Sequence, residues 1–562
     1  MTQFSTNLNA ISLGKRRRRS TQRRANDSIV DTSMSISFDP IGEKKSRAIY
    51  DSAPQGYRDY SLAGPESEAA IKKGLASGQW FVPHIERSML RRLMERDNYH
   101  ALRDTALLFT IIGAFAAASL WAWDAQRYGL FAVCFWIYCT FYTSSADSRW
   151  HECGHSTAFK TKWLNDALYN VASFMVFREP LVWRFSHARH HTDTDVVGRD
   201  PEMDGRPLSV EKLVFALLTN WGAIKGEAEK LWRHACGQMS AGEKTFVPKS
   251  EHAKCFVQAR VFLAIYAVTI GVSVKLGTPL PAMFVFLPYS IGAWHLILVG
   301  VFQHASLEHD VLDHRLNTRT CYVNPISAFI YWNMHYHTEH HLFPMVPYYN
   351  LPQLHEALKS QLPPPYPSML AVYREMIPAL IKQGRAHKTK TIRSMNAASK
   401  SKEEEEVIVV VEGPLYFTDR RSKLPAPLKL SDDETSRFTS LTPDDEGWVA
   451  ACAIGDVPLG EVDRFDVGNR TYCVYHAADD LKWYATAGKC THGAGLLHDG
   501  LVVEGNMIEC PKHNGCFDFK TGMPKRLPVK HKLKTFKTRV EEGVVFVKVN
   551  DGKPKMTLAY ED

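Results

Sequence analysis

Two long runs without a formal charge, Ala106 to Trp123 and Tyr128 to Ala146, are separated only by Asp124, Ala125, Gln126 and Arg127. Each is about as long as a bilayer-spanning helix, so the pair reads as a membrane hairpin. A second pair follows: Phe256 to Val274, interrupted by Arg260 near its start, and Leu276 to Gln303, which carries several prolines and His295. Four buried helices of a large soluble core are the alternative, and the aromatic flanks favour the membrane. The fold expected here is an α-helical polytopic membrane domain of about four transmembrane helices.

Charge orients these helices. The stretch from Lys160 to Lys254 carries many Lys and Arg, whereas the hairpin turns offer essentially Arg127 and Lys275. The positive-inside tendency then puts the large loop and both termini on the cytosolic side, with the endoplasmic reticulum the expected compartment in a eukaryote. The net charge of +8 is concentrated in Lys15, Arg16, Arg17, Arg18, Arg19, Arg23 and Arg24. Beside membrane spans, such a run fits contact with anionic lipid, and no nucleic-acid partner is expected. The first fourteen residues lack the apolar core of a secretory signal. The cysteines form no dense spacing frame, which fits a reducing compartment.

Composition shifts suggest four segments. Residues 1–80 lack periodicity and read as a disordered basic region. Residues 81–385 hold the apolar runs. Residues 386–445 read as a linker, with Lys400 and Lys402 followed by Glu403 to Glu406. Residues 446–555 contain short alternating segments, such as Arg464 to His476 and Val540 to Val549, which predict a small all-β domain.

Three histidine clusters stand out: His151-Glu-Cys-Gly-His155, His187-Ala-Arg-His190-His191 and His337-Thr-Glu-His340-His341. Residues three or four apart share a helix face, so each cluster can aim two or more imidazoles at one point. Several neutral imidazoles with open coordination positions suit dioxygen chemistry at iron. The first two clusters lie in one loop and the third is one hairpin away, so all three can meet at the same membrane surface. The first cluster also matches H-E-x-x-H, a zinc-protease signature, but that reading leaves the other two unexplained.

The stretch from about 80 to 385 resembles the membrane fatty acid desaturase and hydroxylase superfamily, whose three His boxes sit around two membrane hairpins. His337 to Pro344, HTEHHLFP, is especially similar to its third box. The resemblance implies a di-iron centre, two Fe ions held by His151, His155, His187, His190, His191, His337, His340 and His341. It also implies a ligand after the fourth span, where Gln303-His304 falls. His304 is the candidate, with His309 a substitute; His295 is expected to be packed or to line the substrate site. Asn333 and His335 lie nearby but are not assigned. No catalytic residue beyond the metal ligands is expected.

Near the end come Cys490-Thr-His492 and Cys510-Pro-Lys-His513. A Rieske cluster holds one iron by two thiolates and the other by two imidazoles; structural zinc accepts the same set. The flanking residues through Gly522 resemble Rieske ferredoxins, which implies one 2Fe-2S cluster on Cys490, His492, Cys510 and His513. Respiratory Rieske proteins carry an extra cysteine in each loop, where this chain has Ala494 and Lys512. The ferredoxin type is therefore implied, with Cys516 a spare buried thiol.

Joined together, these parts predict an O2-dependent di-iron oxidoreductase, a desaturase or monooxygenase of lipid metabolism. It would place a double bond in a fatty acyl or lipid-like chain, with electrons passing from an external NAD(P)H-dependent ferredoxin reductase through the fused domain. The alternative is a hydroxylase or oxidative demethylase of a smaller polar metabolite. The expected partners are the lipid bilayer, O2, the reductase and an acyl or other small-molecule substrate.

Overall fold

The computed structural model describes residues 59–78, 80–203, 208–398, 418–426, 441–493, 495–512, 515–526 and 529–549. The basic run from Lys15 to Arg24, most of the 386–445 stretch and His513 lie outside the described residues.

Among the described residues, three helices are long and apolar enough to cross a membrane. α1 (Arg87–Met94) leads into the first of them, α2 (Tyr99–Asp124), which pairs with α3 (Tyr128–Gly154). At 1.5 Å per residue each of these two reaches about 40 Å, more than the ~30 Å hydrocarbon core. α4 (Lys162–Met175) and α5 (Pro180–Thr192) follow, and α6 (His252–Leu276) is the third long helix. Leu107, Leu120 and Trp121 on α2 are exposed, as are Val257, Val261 and Val268 on α6. An apolar exterior of this kind suits lipid and is costly in water.

The fourth run does not form one helix. It breaks into α7 (Leu280–Phe286), α8 (Pro288–Ile291) and α9 (Ala293–Val301). Pro288 has no N–H to continue the ladder, which frees the Phe284 carbonyl, and side chains of α3 bond to the broken run. Thr143 Oγ1 donates to Pro288 O at 2.6 Å and Tyr138 OH to Phe284 O at 2.8 Å. Gly292 permits the close approach, because a Cβ there would lie 1.9 Å from Cys139 O.

Beyond α9 come α10 (His314–Asn317), α11 (His337–Leu342) and α12 (Met369–Ala398). The C-terminal part is all-β. Among its strands are β1 (Trp448–Ala453), β4 (Trp483–Ala487), β5 (Leu501–Val503), β8 (Pro524–Arg526) and β9 (Thr535–Phe536), and all its strand pairs are antiparallel, in three sheets. The strands β2 (Glu461–Val467) and β3 (Arg470–His476) form a hairpin, which divides the segment from Arg464 to His476 at Gly468. β10 (Thr538–Glu541) and β11 (Val544–Lys548) turn at Gly543, whose φ of 79° favours glycine. In the third sheet, β6 (Met507–Glu509) and β7 (Cys516–Asp518) flank the Cys510 loop.

The Gly292 contact generates a test. Gly292→Ala forces α8 and α9 off α3 and is expected to destabilise the detergent-solubilised protein by about 2–3 kcal/mol. An unchanged thermal unfolding midpoint would contradict this packing.

Candidate metal centre

Each histidine cluster sits where a helix ends or turns. α5 starts at Pro180, preceded by Glu179, whose carboxylate accepts from Leu181 N (3.1 Å) and Val182 N (2.6 Å). Its last turns present His187, His190 and His191. α11 is fixed through Glu339, which accepts from His355 Nδ1 at 2.5 Å and from Thr320 Oγ1. His151 lies in the last turn of α3 with His155 just after it, and His304 lies in the turn beyond α9.

These elements bring nine imidazoles into two groups. His151, His155, His187, His191 and His340 form one; His190, His304, His337 and His341 form the other. Within each group the ligating atoms lie within 4.8 Å of one another. The i,i+4 pairs His187/His191 and His337/His341 stay together, whereas His190 and His340 each cross to the other group. The groups are adjacent, with the His191 and His341 rings stacked at 4.2 Å.

Hydrogen bonding fixes which nitrogen faces inward. His187 Nδ1 meets Glu202 Oε1 at 2.9 Å, His190 Nδ1 meets Asp200 Oδ2 at 2.9 Å, and His304 Nδ1 meets Asn317 O at 2.9 Å. A carboxylate or carbonyl can only accept, so each Nδ1 carries a proton, and the Nε2 of a neutral ring then presents a lone pair. Yet His187 Nε2 lies 3.0 Å from His155 Nε2 and 3.2 Å from His191 Nε2, and His304 Nε2 lies 2.8 Å from His337 Nε2. Nitrogens that converge this closely can share a cation. The donor set therefore fits a di-metal site.

Burial, reinforced by neighbouring imidazoles, holds His191, His337, His340 and His341 well below the ordinary histidine pKa, which keeps them neutral and ligating. Burial also opposes the His190 cation, but Asp200 and Glu202 outweigh it and raise the group to about 9. Burial disfavours the Glu202 carboxylate as well, yet His190 and His187 hold it well below the usual range. A metal at His190 would thus have to displace a proton.

Other histidines fall outside the two groups. His295 is buried against Ser327 Oγ at 3.0 Å, His309 lies edge-on to Tyr60, and His335 is buried. Asn333 Nδ2 donates to Tyr348 O at 3.1 Å. Glu152 Oε1 accepts from Thr157 Oγ1 (2.7 Å) and Tyr348 N (3.1 Å). The anchors Asp200, Glu202 and Asn317 were missed in the sequence. Their one visible signal is the acidic run Asp193, Asp195, Asp200, Glu202 after the second box.

In the β part, Cys490 and Cys510 are buried. Their loops abut at Gly495, where a Cβ would sit 3.1 Å from Cys510 Sγ. Each cysteine turn is closed by a backbone bond, Cys490 N to Gly495 O (2.8 Å) and Cys510 N to Gly515 O (2.9 Å). A hydrogen bond from Cys510 lowers the Cys490 thiol pKa, as a thiolate ligand pair requires. His492 is exposed, and Cys516 is buried on β7.

The β part sits on the helical part through ion pairs. Arg87 Nη1 meets Asp463 Oδ1 at 2.5 Å, Arg91 meets Glu461, and Arg96 Nη1 meets Glu509 Oε2 at 3.2 Å. Glu509 adjoins Cys510 and also accepts from Arg526 at 2.6 Å. Although the His492 side chain reaches the surface, its packed surroundings lower its pKa, with Arg189 of α5 adding to the effect. Burial likewise lowers Lys512, opposed by Cys510 and then Asp193. Both ligand loops thus feel the charges at the end of α5.

Two imidazole groups on a helical scaffold, joined to a Cys/His loop pair on a β fold, define a two-centre redox metalloprotein. Residues 129–373 match the model of the fatty acid desaturase family, and residues 447–537 match the Rieske [2Fe-2S] domain. The ferredoxin component of the 2,4-dinitrotoluene dioxygenase system of Burkholderia sp. (strain RASC) is 38% identical over 105 residues, 19% of this chain and 98% of the relative. Ferredoxin CarAc of Metapseudomonas resinovorans is 40% identical over 101 residues, 18% of this chain and 92% of its own. The solved ferredoxin of Sphingomonas yanoikuyae B1 is 32% identical, covering 18% of this chain and 97% of its own, with a TM-score of 0.17. The chain thus carries a fatty acid desaturase-family oxidoreductase domain over residues 129–373, with a His-cluster metal site, and a C-terminal Rieske 2Fe-2S domain of ferredoxin type.

The carboxylate anchors yield a prediction. Asp200→Asn and Glu202→Gln preserve shape but weaken the hold on His190 and His187, and each is expected to lower metal affinity about 10- to 100-fold. Chelator competition measures this; affinity equal to that of the unaltered chain would show that the anchors do not tune the site.

Proposed function

We propose that this chain is an O2-dependent di-iron desaturase that introduces a double bond into a fatty acyl or lipid-like chain, drawing electrons through its own Rieske domain. The observation that carries this reading is the convergence of nine imidazoles in two adjacent groups on a scaffold whose Arg96 is ion-paired to Glu509, the neighbour of Cys510. Bound as a pair, iron supplies activation of dioxygen and removal of hydrogen from an unactivated carbon.

The residues do the rest. His151, His155, His187, His191 and His340 hold one iron; His190, His304, His337 and His341 hold the other. Glu202, Asp200 and Asn317 orient three of these rings. Cys490, His492, Cys510 and His513 hold the 2Fe-2S cluster. Arg87, Arg91 and Arg96 hold the cluster domain against the helical part, and an external NAD(P)H-dependent ferredoxin reductase resupplies it. Three long helices and the broken fourth run form two membrane hairpins, with both termini and the active site on the cytosolic face. The basic character of the stretch from Lys160 to Lys254 supports that orientation.

The purified full chain is expected to contain four irons, two in each centre, and cells expressing it should accumulate an unsaturated product detectable by mass spectrometry. Stoichiometric zinc with negligible iron would overturn the metal assignment, and an alcohol or a demethylated metabolite as the sole new product would overturn the desaturase assignment.

The electron path is tested at the dock. Partly exposed pairs contribute only about 0.2–1 kcal/mol each, so Arg87→Glu combined with Arg91→Glu should slow turnover several-fold without unfolding either part. Adding Asp463→Arg and Glu461→Arg should restore part of the loss. Undiminished transfer from the reduced cluster in the doubly reversed chain would show that electrons pass by another arrangement.

A further inference from the structure

The turn that carries His304 lies beyond the last turn of α9, where carbonyls lose their intrahelical donors. Arg319 supplies replacements. Its Nη1 donates to Phe302 O at 2.8 Å and Ala305 O at 2.6 Å, on either side of His304, and its amide donates to Gln303 O at 3.0 Å. Arg319 is fully buried, and among the described residues no carboxylate forms an ion pair with it. Oxygens meet its charge instead: the two carbonyls, Ser306 Oγ at 3.0 Å and Thr418 Oγ1 at 3.1 Å.

Thr418 arrives from far along the chain, beyond residue 373 where the desaturase match ends. It belongs to residues 418–426, inside the stretch expected to be linker. This short piece is firmly seated. Thr418 N donates to Ser306 O at 2.7 Å, and the two hydroxyls meet at 3.0 Å. Arg420 is 1% exposed and donates to Arg315 O at 3.2 Å. Arg421 pairs with Glu308 at 2.6 Å, and Lys423 pairs with Glu375 at 3.1 Å. An apparent linker that buries an arginine and a threonine against a ligand-bearing turn has a structural task there.

We infer that residues 418–423 are a strap that completes the support of the His304 turn, making the second imidazole group dependent on the polypeptide that leads to the Rieske domain. Thr418 is a positioning residue. It acts through Arg319 and Ser306 on the backbone that aims His304, and it touches no reacting group. The inference rests on His304 being a metal ligand, as in the function proposed above.

The test uses the iron-loaded full chain in detergent and follows iron extraction by a chelator, with the electron spin resonance signal of the reduced Rieske cluster as the folding control. Thr418→Val should speed loss of one His-site iron about 10- to 100-fold while the Rieske signal stays intact, and Thr418→Ser should behave like the unaltered chain. In a His304→Ala background, Thr418→Val should add nothing, because the ligand it positions is gone. If Thr418→Val fails to accumulate, Arg421→Gln loosens the same strap from Glu308 and is read by the same rate. Extraction unchanged in these variants, or equally accelerated with and without His304, overturns the strap while leaving the proposed function standing. An unaltered chain with no iron beyond its Rieske pair overturns the proposed function itself.

Discussion

Nine imidazoles, eight of them buried, whose inward nitrogens converge within 4.8 Å in each of two groups, are the constraint on which the rest of this structure depends. A neutral imidazole has one N–H and one lone pair. Glu202, Asp200 and Asn317 take the outer proton of His187, His190 and His304, so those rings turn lone pairs toward other rings about 3 Å away. Converging lone pairs in a buried setting suit a cation. The scaffold must then bring helix ends from four separate stretches of chain together around one place. That explains the density of anchoring around them: Glu179 capping α5, Glu339 bonded to His355 under α11, and Arg319 under the His304 turn.

The apolar helices serve the same end. α2, α3 and α6 expose Leu, Val and Trp outward and leave their polar ends to one side. The broken run after α6 is shaped by its neighbour: Pro288 interrupts it, Gly292 lets it press on α3, Tyr138 pairs the freed Phe284 carbonyl, and Thr143 adds a bond to Pro288 O. A straight fourth helix would follow a different line, and α9 would deliver His304 somewhere else. Local irregularity in an apolar segment thus positions a ligand.

Much of the site was legible in the sequence because helical spacing is local information. The three boxes and the Cys/His loops declare themselves within five residues each, and all nine proposed di-iron ligands come together in the structure. His304 has no box of its own and was found only through the resemblance of Gln303-His304 to related sequences. What escaped was relational. Asp200 and Glu202 lie in an irregular loop whose path no periodicity specifies, and Thr418 meets Arg319 across about a hundred residues. The break at Pro288 was visible as proline content, but whether prolines kink or end a helix depends on who takes up the freed carbonyls.

The strap and the dock divide the labour of holding the Rieske domain. Two of the three ion pairs of the dock, Arg87–Asp463 and Arg91–Glu461, have partly exposed side chains, the class that contributes little and weakens with salt, while Arg96–Glu509 is buried. Contacts of that strength suit a seat that is occupied and vacated, as a shuttle serving both a reductase and an oxidant requires. The strap is different in kind, with buried Arg420 and Thr418 fixed by directed hydrogen bonds. With the chain pinned at Lys423, only roughly 17 residues separate the strap from Leu441, where the β part resumes, a reach of at most about 60 Å. A shorter tether raises the effective concentration of the domain at its dock as long as it still spans the gap. Weak ion pairs then suffice for docking, because the strap, rather than the interface, supplies the proximity.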